Sequence, residues 1–229
     1  METIMIMDSI PVHLTVEDVL TSMQMAGRKH SFQNIIQELI DAAVQVAKPK
    51  VMYKVSYIEN ENEDSITIDG VVFKSPILKM NLENAERIFP YIATAGRELE
   101  EIPVSTNDIM REYCLDIVKE TILEGALRYF EKQLGREYAL GKMAHMNPGS
   151  LSEWPISQQE PLFSLFGDVE AIVGVRLTES FLMDPVKSVS GVYFPAEIDF
   201  KSCMLCTRHP CSKRRADYDP KMAKKYSVK

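Results

Sequence analysis

The sequence predicts an α+β fold. Apolar residues recur at helical spacing near the start and in the middle of the chain, and a separate set of β-branched and aromatic runs reads as short strands. The polar turns between those runs are too short to hold crossover helices, so antiparallel pairing is expected rather than βαβ units.

Each element has its own signal. Residues 3–7 form a short apolar run, read as a strand stopped by Asp8 to Pro11. Thr15 with Asp18 three positions on resembles a helix start, and Val16, Val19, Leu20 and Met23 follow at helical spacing before Gly27. A second helix is expected from Phe32 to Ala47, with Ile35, Ile36, Leu39, Ile40, Ala43 and Val46 on one side and Pro49 just beyond. VMYKVSYIEN, ITIDG and VVFKSPILKM then supply two to four strands, and RIFPYIATAG one more. From Asn107 to Leu134 the spacing predicts a long core helix carrying Ile109, Met110, Tyr113, Cys114, Ile117, Val118 and Phe130 inward. The proline- and glycine-bearing stretch after it reads as an ordered loop leading to a short helix around Gln158 to Phe166. Two strands are expected in VEAIVGVRLTES and KSVSGVYFPAEIDF.

With 229 residues, the chain is long enough to bury a core without disulfides or metal. The net charge of -7 hides an asymmetry: from Lys201 onward nine basic residues face two acidic ones, while the first 200 residues carry -14. The expected organisation is therefore one domain over residues 1–200 and a basic, cysteine-bearing tail over 201–229. No run approaches 18 apolar residues, and the N-terminus lacks a basic region and a cleavage site. A cytoplasmic location is the expectation, with no membrane and, given the acidic body, no nucleic acid as partner. There is no GxGxxG after a strand, no Walker A sequence and no GxSxG elbow. His13, His30, His145 and His209 are scattered, and only His145 abuts the Pro–Gly loop.

Two constellations could carry chemistry. Cys203-x2-Cys206-x4-Cys211 can place thiolates around a metal or cluster iron, and the neighbouring Arg208, Lys213, Arg214 and Arg215 favour thiolates. Redox-active thiols and plain reduced cysteines are the alternatives. The rest of the tail, KMAKKYSVK, reads as an exposed terminus or an acidic-partner contact. The second constellation is the loop from His145 to Trp154. Pro148–Gly149 can force a turn exposing backbone groups, and Trp154 offers a flat aromatic face. A packed loop capping the long helix is the plainer reading.

NPGSLSEWPISQQEPLFSLFG followed by GVRLTESFLMDPVKSVSGVYF resembles the activation domain of vitamin B12-dependent methionine synthase, most specifically over Gly174 to Phe194. The chain looks like a short free-standing relative of that domain. The resemblance implies a twisted antiparallel sheet with flanking helices. It also implies S-adenosylmethionine as ligand and a role in reductive methylation of cob(II)alamin carried by a corrinoid-binding partner or methionine synthase core, with a flavodoxin-like or ferredoxin-like electron donor. Its alternatives are a docking or regulatory module for a corrinoid methyltransferase, and an iron–sulfur reductive activator that uses no S-adenosylmethionine. The family's ligand loop, approximately Arg-Pro-x-Pro-Gly-Tyr, falls on His145 to Ser150. Pro148 and Gly149 are retained, while His145 stands at the arginine position and Ser150 at the tyrosine position. Arg176, Trp154 and Arg136 are candidates to supply what those departures remove. Glu179, Ser180, Ser188, Ser190, Gly191 and Tyr193 fall in the family's signature. Glu179 and Tyr193 are expected at the pocket, and Ser190–Gly191 as backbone-shaping residues. An iron–sulfur cluster (zinc is the second option) on Cys203, Cys206 and Cys211 would give the protein its own electron relay.

Overall fold

The Thr15 hydroxyl accepts the Asp18 N–H at 3.2 Å, and the Asp18 carboxylate accepts the Thr15 N–H at 2.7 Å. This reciprocal cap starts the first helix where the spacing places it. The structure, a computed structural model, describes residues 3–25, 32–61, 64–83, 85–105, 107–196, 200–211 and 214–226. Gly27, His30 and Lys213, named above, lie outside the described residues.

The chain opens with β1 (Met5–Met7), α1 (Val16–Ser22) and α2 (Gln33–Val46). VMYKVSYIEN is two strands rather than one, β2 (Lys50–Tyr53) and β3 (Ser56–Glu61), followed by β4 (Ser65–Ile68) and β5 (Val71–Lys74). The second half of VVFKSPILKM is not strand. The Ser75 hydroxyl accepts the Leu78 N–H at 3.1 Å and Pro76 takes the first helical position, so α3 (Pro76–Leu82) begins there. Next come β6 (Arg87–Thr94) and the 29-residue α4 (Ile109–Glu137), capped by Asp108. Ile109, Met110 and Tyr113, expected inside, are exposed, because α4 enters the core only from Cys114 onward.

Beyond α4, the strand β7 (Met143–Met146) lies in a stretch read as loop, and α5 (Gln159–Ser164) falls inside the expected short helix. VEAIVGVRLTES is corrected from strand to helix. The Asp168 carboxylate accepts the Ala171 N–H at 3.0 Å and Gly174, at φ +76°, ends α6 (Val169–Val173). Only the two-residue β8 (Arg176–Leu177) remains, paired with β9 (Met183–Asp184). β10 (Ser188–Pro195) runs as expected. The terminal segment is also corrected: Asp219 caps α7 (Pro220–Lys225), Ala223 is buried, and the Tyr226 hydroxyl donates to Asn81 at 3.1 Å.

Among the described residues eight strands form one sheet, with every pairing antiparallel. β6 is its hub. It pairs with β2 and β3 and also with β10, which in turn pairs with β7. Both faces of β6 are covered. Ile88 and Ile92 join a core with Phe73, Trp154, Phe166, Val192 and Phe194, beneath α3, α5, α6 and α7. Phe89, Tyr91 and Ala93 join Phe130, Leu134 and Tyr193 beneath α4. The period-2 alternation of β6 thus supplies two cores. A third cluster ties α1 and α2 to the first half of α4, with Cys114 fully buried within it. No described helix is long and apolar enough to cross a membrane.

Candidate functional site

Pro148 and Gly149 occupy the second and third positions of a turn closed by the Ser150 N–H on the Asn147 carbonyl at 3.1 Å. Gly149 has φ +85°, the left-handed value a type II turn requires at that position. The turn does not expose its donors, because the Gly149 N–H is taken by the Trp154 carbonyl at 2.7 Å. Gly149 and Ser150 are themselves exposed.

Asn147 seats the turn on the sheet. Its Nδ2 donates to the Tyr91 hydroxyl and to the Ser190 carbonyl, each at 2.8 Å. Gly191 makes room for this contact: a Cβ there would meet the Met146 carbonyl, the Asn147 amide and Tyr91 Cε1. Ser190 donates its hydroxyl to the buried Gln159 side chain, fixing α5 beneath β10.

Beside this turn lies a cleft of about 740 Å³, the size of a small-molecule site. The sheet contributes His145 and Tyr91 to its walls, the turn contributes Asn147, Gly149 and Ser150, and the end of α1 contributes Thr21 and Ser22. Glu120 and Glu124 come from α4, while Cys203, Cys206, Arg208, Arg214 and Arg215 come from the tail. The cleft therefore carries both signs of charge. Among the described residues, no carboxylate stands within ion-pair distance of these three arginines.

Of the expected site residues, His145, Gly149 and Ser150 line the cleft, and Pro148 lies buried under the turn. Tyr193 pairs with His145 across β10 and β7, and the two rings meet at a tilt of 48° with centroids 5.1 Å apart. Trp154 and Glu179 fall elsewhere. Trp154 is fully buried in the core under β10, and its Nε1 has no partner among the described residues, so it turns no face to the cleft. Glu179 sits exposed at the tip of the β8–β9 hairpin, and Ser180 beside it hydrogen-bonds Thr178 at 3.1 Å. Neither proposed substitute cation is at the cleft. Arg176 pairs with Asp184 at 2.9 Å, and Arg136 lines a separate cleft with Ser9 and Glu137.

The cation that does meet the loop is Arg215, whose Nη1 lies 3.0 Å from His145 Nε2. Burial first, and the Arg215 charge second, bring the His145 pKa from 6.5 down to about 4. Neutral imidazole then accepts the guanidinium N–H. Between pH 6.5 and 4 the unfolded chain binds a proton that the folded chain refuses, so acidification removes stability, by at most about 3 kcal/mol. His145→Gln keeps an acceptor but does not titrate. Its melting temperature should fall less than the wild-type value over that interval, and equal declines would contradict the assignment.

Arg214 braces the tail by donating to the carbonyls of Cys203 at 3.1 Å, Cys206 at 3.1 Å and Ala216 at 3.2 Å. Burial acts to raise the Cys203 thiol pKa. Hydrogen bonding and charge from Arg215, and the Ala216 backbone, outweigh it and hold the thiol below its ordinary value. Among the described residues no three His, Cys, Asp or Glu side chains are grouped to hold a metal ion. Cys203 and Cys206 line the cleft and Cys211 does not.

The chain is thus an α+β domain built on a twisted antiparallel sheet, with a Pro–Gly turn beside a charged cleft. The family described as "Vitamin B12 dependent methionine synthase, activation domain" matches residues 146–201, the span from the turn through β10. A solved structure described as "Crystal Structure of the MetH Reactivation Domain bound to AdoHcy" superposes with a TM-score of 0.57. It is 15% identical in sequence, over 88% of this chain and 81% of that one. No curated protein sequence matches. The chain is a distant relative, in fold and in sequence, of the methionine synthase activation domain.

Proposed function

We propose that the chain binds S-adenosylmethionine in the cleft beside Pro148–Gly149 and supports reductive methylation of a cob(II) corrinoid carried by a partner protein. The observation that carries this reading is the coincidence of the family match with the cleft: the matched span starts at Met146 and contains the whole turn. The solved relative is described with S-adenosylhomocysteine bound, and shares the fold.

The chain's own residues suit such a ligand. The Arg215 guanidinium, held by neutral His145, is placed to take the carboxylate that an arginine on the loop would otherwise take. Gly149 carbonyl oxygen and the Ser150 hydroxyl accept from an ammonium or an amino group. Glu120 and Glu124, which pair with Lys187 and Arg128, add acidic groups to the cleft wall. Bound there, S-adenosylmethionine supplies the methyl group that traps the reduced corrinoid. The protein's part is to hold that group in line and exclude water. The partner is a corrinoid-binding protein or methionine synthase core, a flavodoxin-like or ferredoxin-like protein delivers the electron, and the setting is cytoplasmic. Residues 1–200 supply the sheet and turn in this reading, and residues 201–229 the cations.

Titration calorimetry with S-adenosylmethionine tests the site. Wild-type protein should bind near one-to-one. Arg215→Ala should weaken binding about 10- to 100-fold, the scale of one charge-assisted hydrogen bond, while the protein stays folded with a melting temperature lowered by only a few degrees. Undiminished binding by Arg215→Ala would remove Arg215 from the site. No binding by wild-type protein, alone or with a cob(II) partner, would favour a docking module.

A further inference from the structure

We propose that Cys203 and Cys206 form a redox-active dithiol on the wall of the cleft, interconverting with an intramolecular disulfide while Cys211 stays reduced. This goes beyond ligand binding and does not depend on it. The Cys206 N–H donates to the Cys203 carbonyl at 3.2 Å, closing a turn across the two residues. Such a turn brings its first and last Cα within about 7 Å, the spacing that disulfides bridge. Both residues line the same cleft, so an external oxidant can reach them, whereas Cys114 is fully buried under α1 and α2. Arg214 holds the carbonyls of both residues, which keeps the turn closed, and the Arg215 N–H lies 3.4 Å from Cys203 Sγ as a donor to it.

These contacts distinguish the two thiols. Cys203, the hydrogen-bonded one, is the attacking thiolate, and Cys206 resolves. With a low-molecular-weight disulfide such as oxidised glutathione, Cys203 Sγ attacks one sulfur and releases a thiolate, leaving a mixed disulfide. Cys206 gives its proton to solvent and attacks Cys203 Sγ, expelling the second thiolate. Two electrons pass from the dithiol to the external disulfide. Because Cys203 Sγ accepts the Arg215 N–H, the oxidation also reaches the segment that carries the His145-facing guanidinium.

The test uses the whole folded chain, oxidised with glutathione disulfide, alkylated under denaturing conditions and digested with trypsin. Lys201 and Arg208 bracket Cys203 and Cys206 in one peptide, and Cys211 falls in the next. Free thiols should drop from four to two. The 202–208 peptide should be lighter by two hydrogens and unalkylated, and Cys114 and Cys211 should be alkylated. Cys206→Ser should retain one glutathione on Cys203, and dithiothreitol should reverse both products. A bridge to Cys211, or full alkylation of the 202–208 peptide after oxidation of the wild-type chain, would overturn the proposal.

Discussion

Gly191→Ala is expected to destabilise the domain by about 3 kcal/mol and to unseat the Asn147–Ser150 turn. The added Cβ would run into the Met146 carbonyl oxygen, which belongs to a strand in register with Val192 and cannot retreat without losing that pairing. It would also crowd Tyr91 Cε1 at 3.1 Å and the Asn147 amide, whose bonds to Tyr91 and Ser190 hold the turn on the sheet. Urea unfolding should show a lower midpoint with an unchanged slope. A midpoint equal to wild type would mean that β7 and β10 do not approach as described.

Trp154→Ala should cost about 3–5 kcal/mol through the cavity left in the core. Trp154 is fully buried beside Phe166, Val192 and Phe194, and its carbonyl holds the Gly149 N–H. The backbone contact survives the substitution, so the loss is one of packing. If Trp154 were instead a wall of the ligand site, the variant would keep wild-type stability and lose affinity. Ser150→Ala, at an exposed cleft position, provides the contrast and should leave stability nearly unchanged.

The elements legible in the sequence are those with local signals. The Thr15–Asp18 cap, the amphipathic stripe of α2 and the strand signal of KSVSGVYF each lie within a few residues, and the structure bears them out. VEAIV defeated that approach because five apolar residues fit a buried strand and a short helix equally well, and a side-chain cap at Asp168 decided between them. Trp154 shows a different limit: its composition suits a ligand face, and only the third dimension reveals that its ring is enclosed.

The site was legible in half. Pro148–Gly149 carried its turn in plain view, and the family resemblance pointed to the same loop. Arg215 was hidden, because it stands 70 residues from His145 and meets it only when the tail folds back. Basic residues clustered around the cysteines were visible as a charge reversal, yet spacing alone pointed to a three-thiol metal site. In the fold Cys203 and Cys206 line the cleft, and Cys211 is not among its lining residues. The charge reversal after residue 200 marks where the cleft acquires its cations.

The central claim is that the turn at Pro148–Gly149 and the tail at Arg215 together form one ligand site. A crystal structure determined with S-adenosylmethionine bound tests it most directly. The ligand should lie against Gly149 and Ser150 with its carboxylate on the Arg215 guanidinium. A ligand bound at saturating concentration in another cleft, such as the one lined by Arg136 and Glu137, would contradict it.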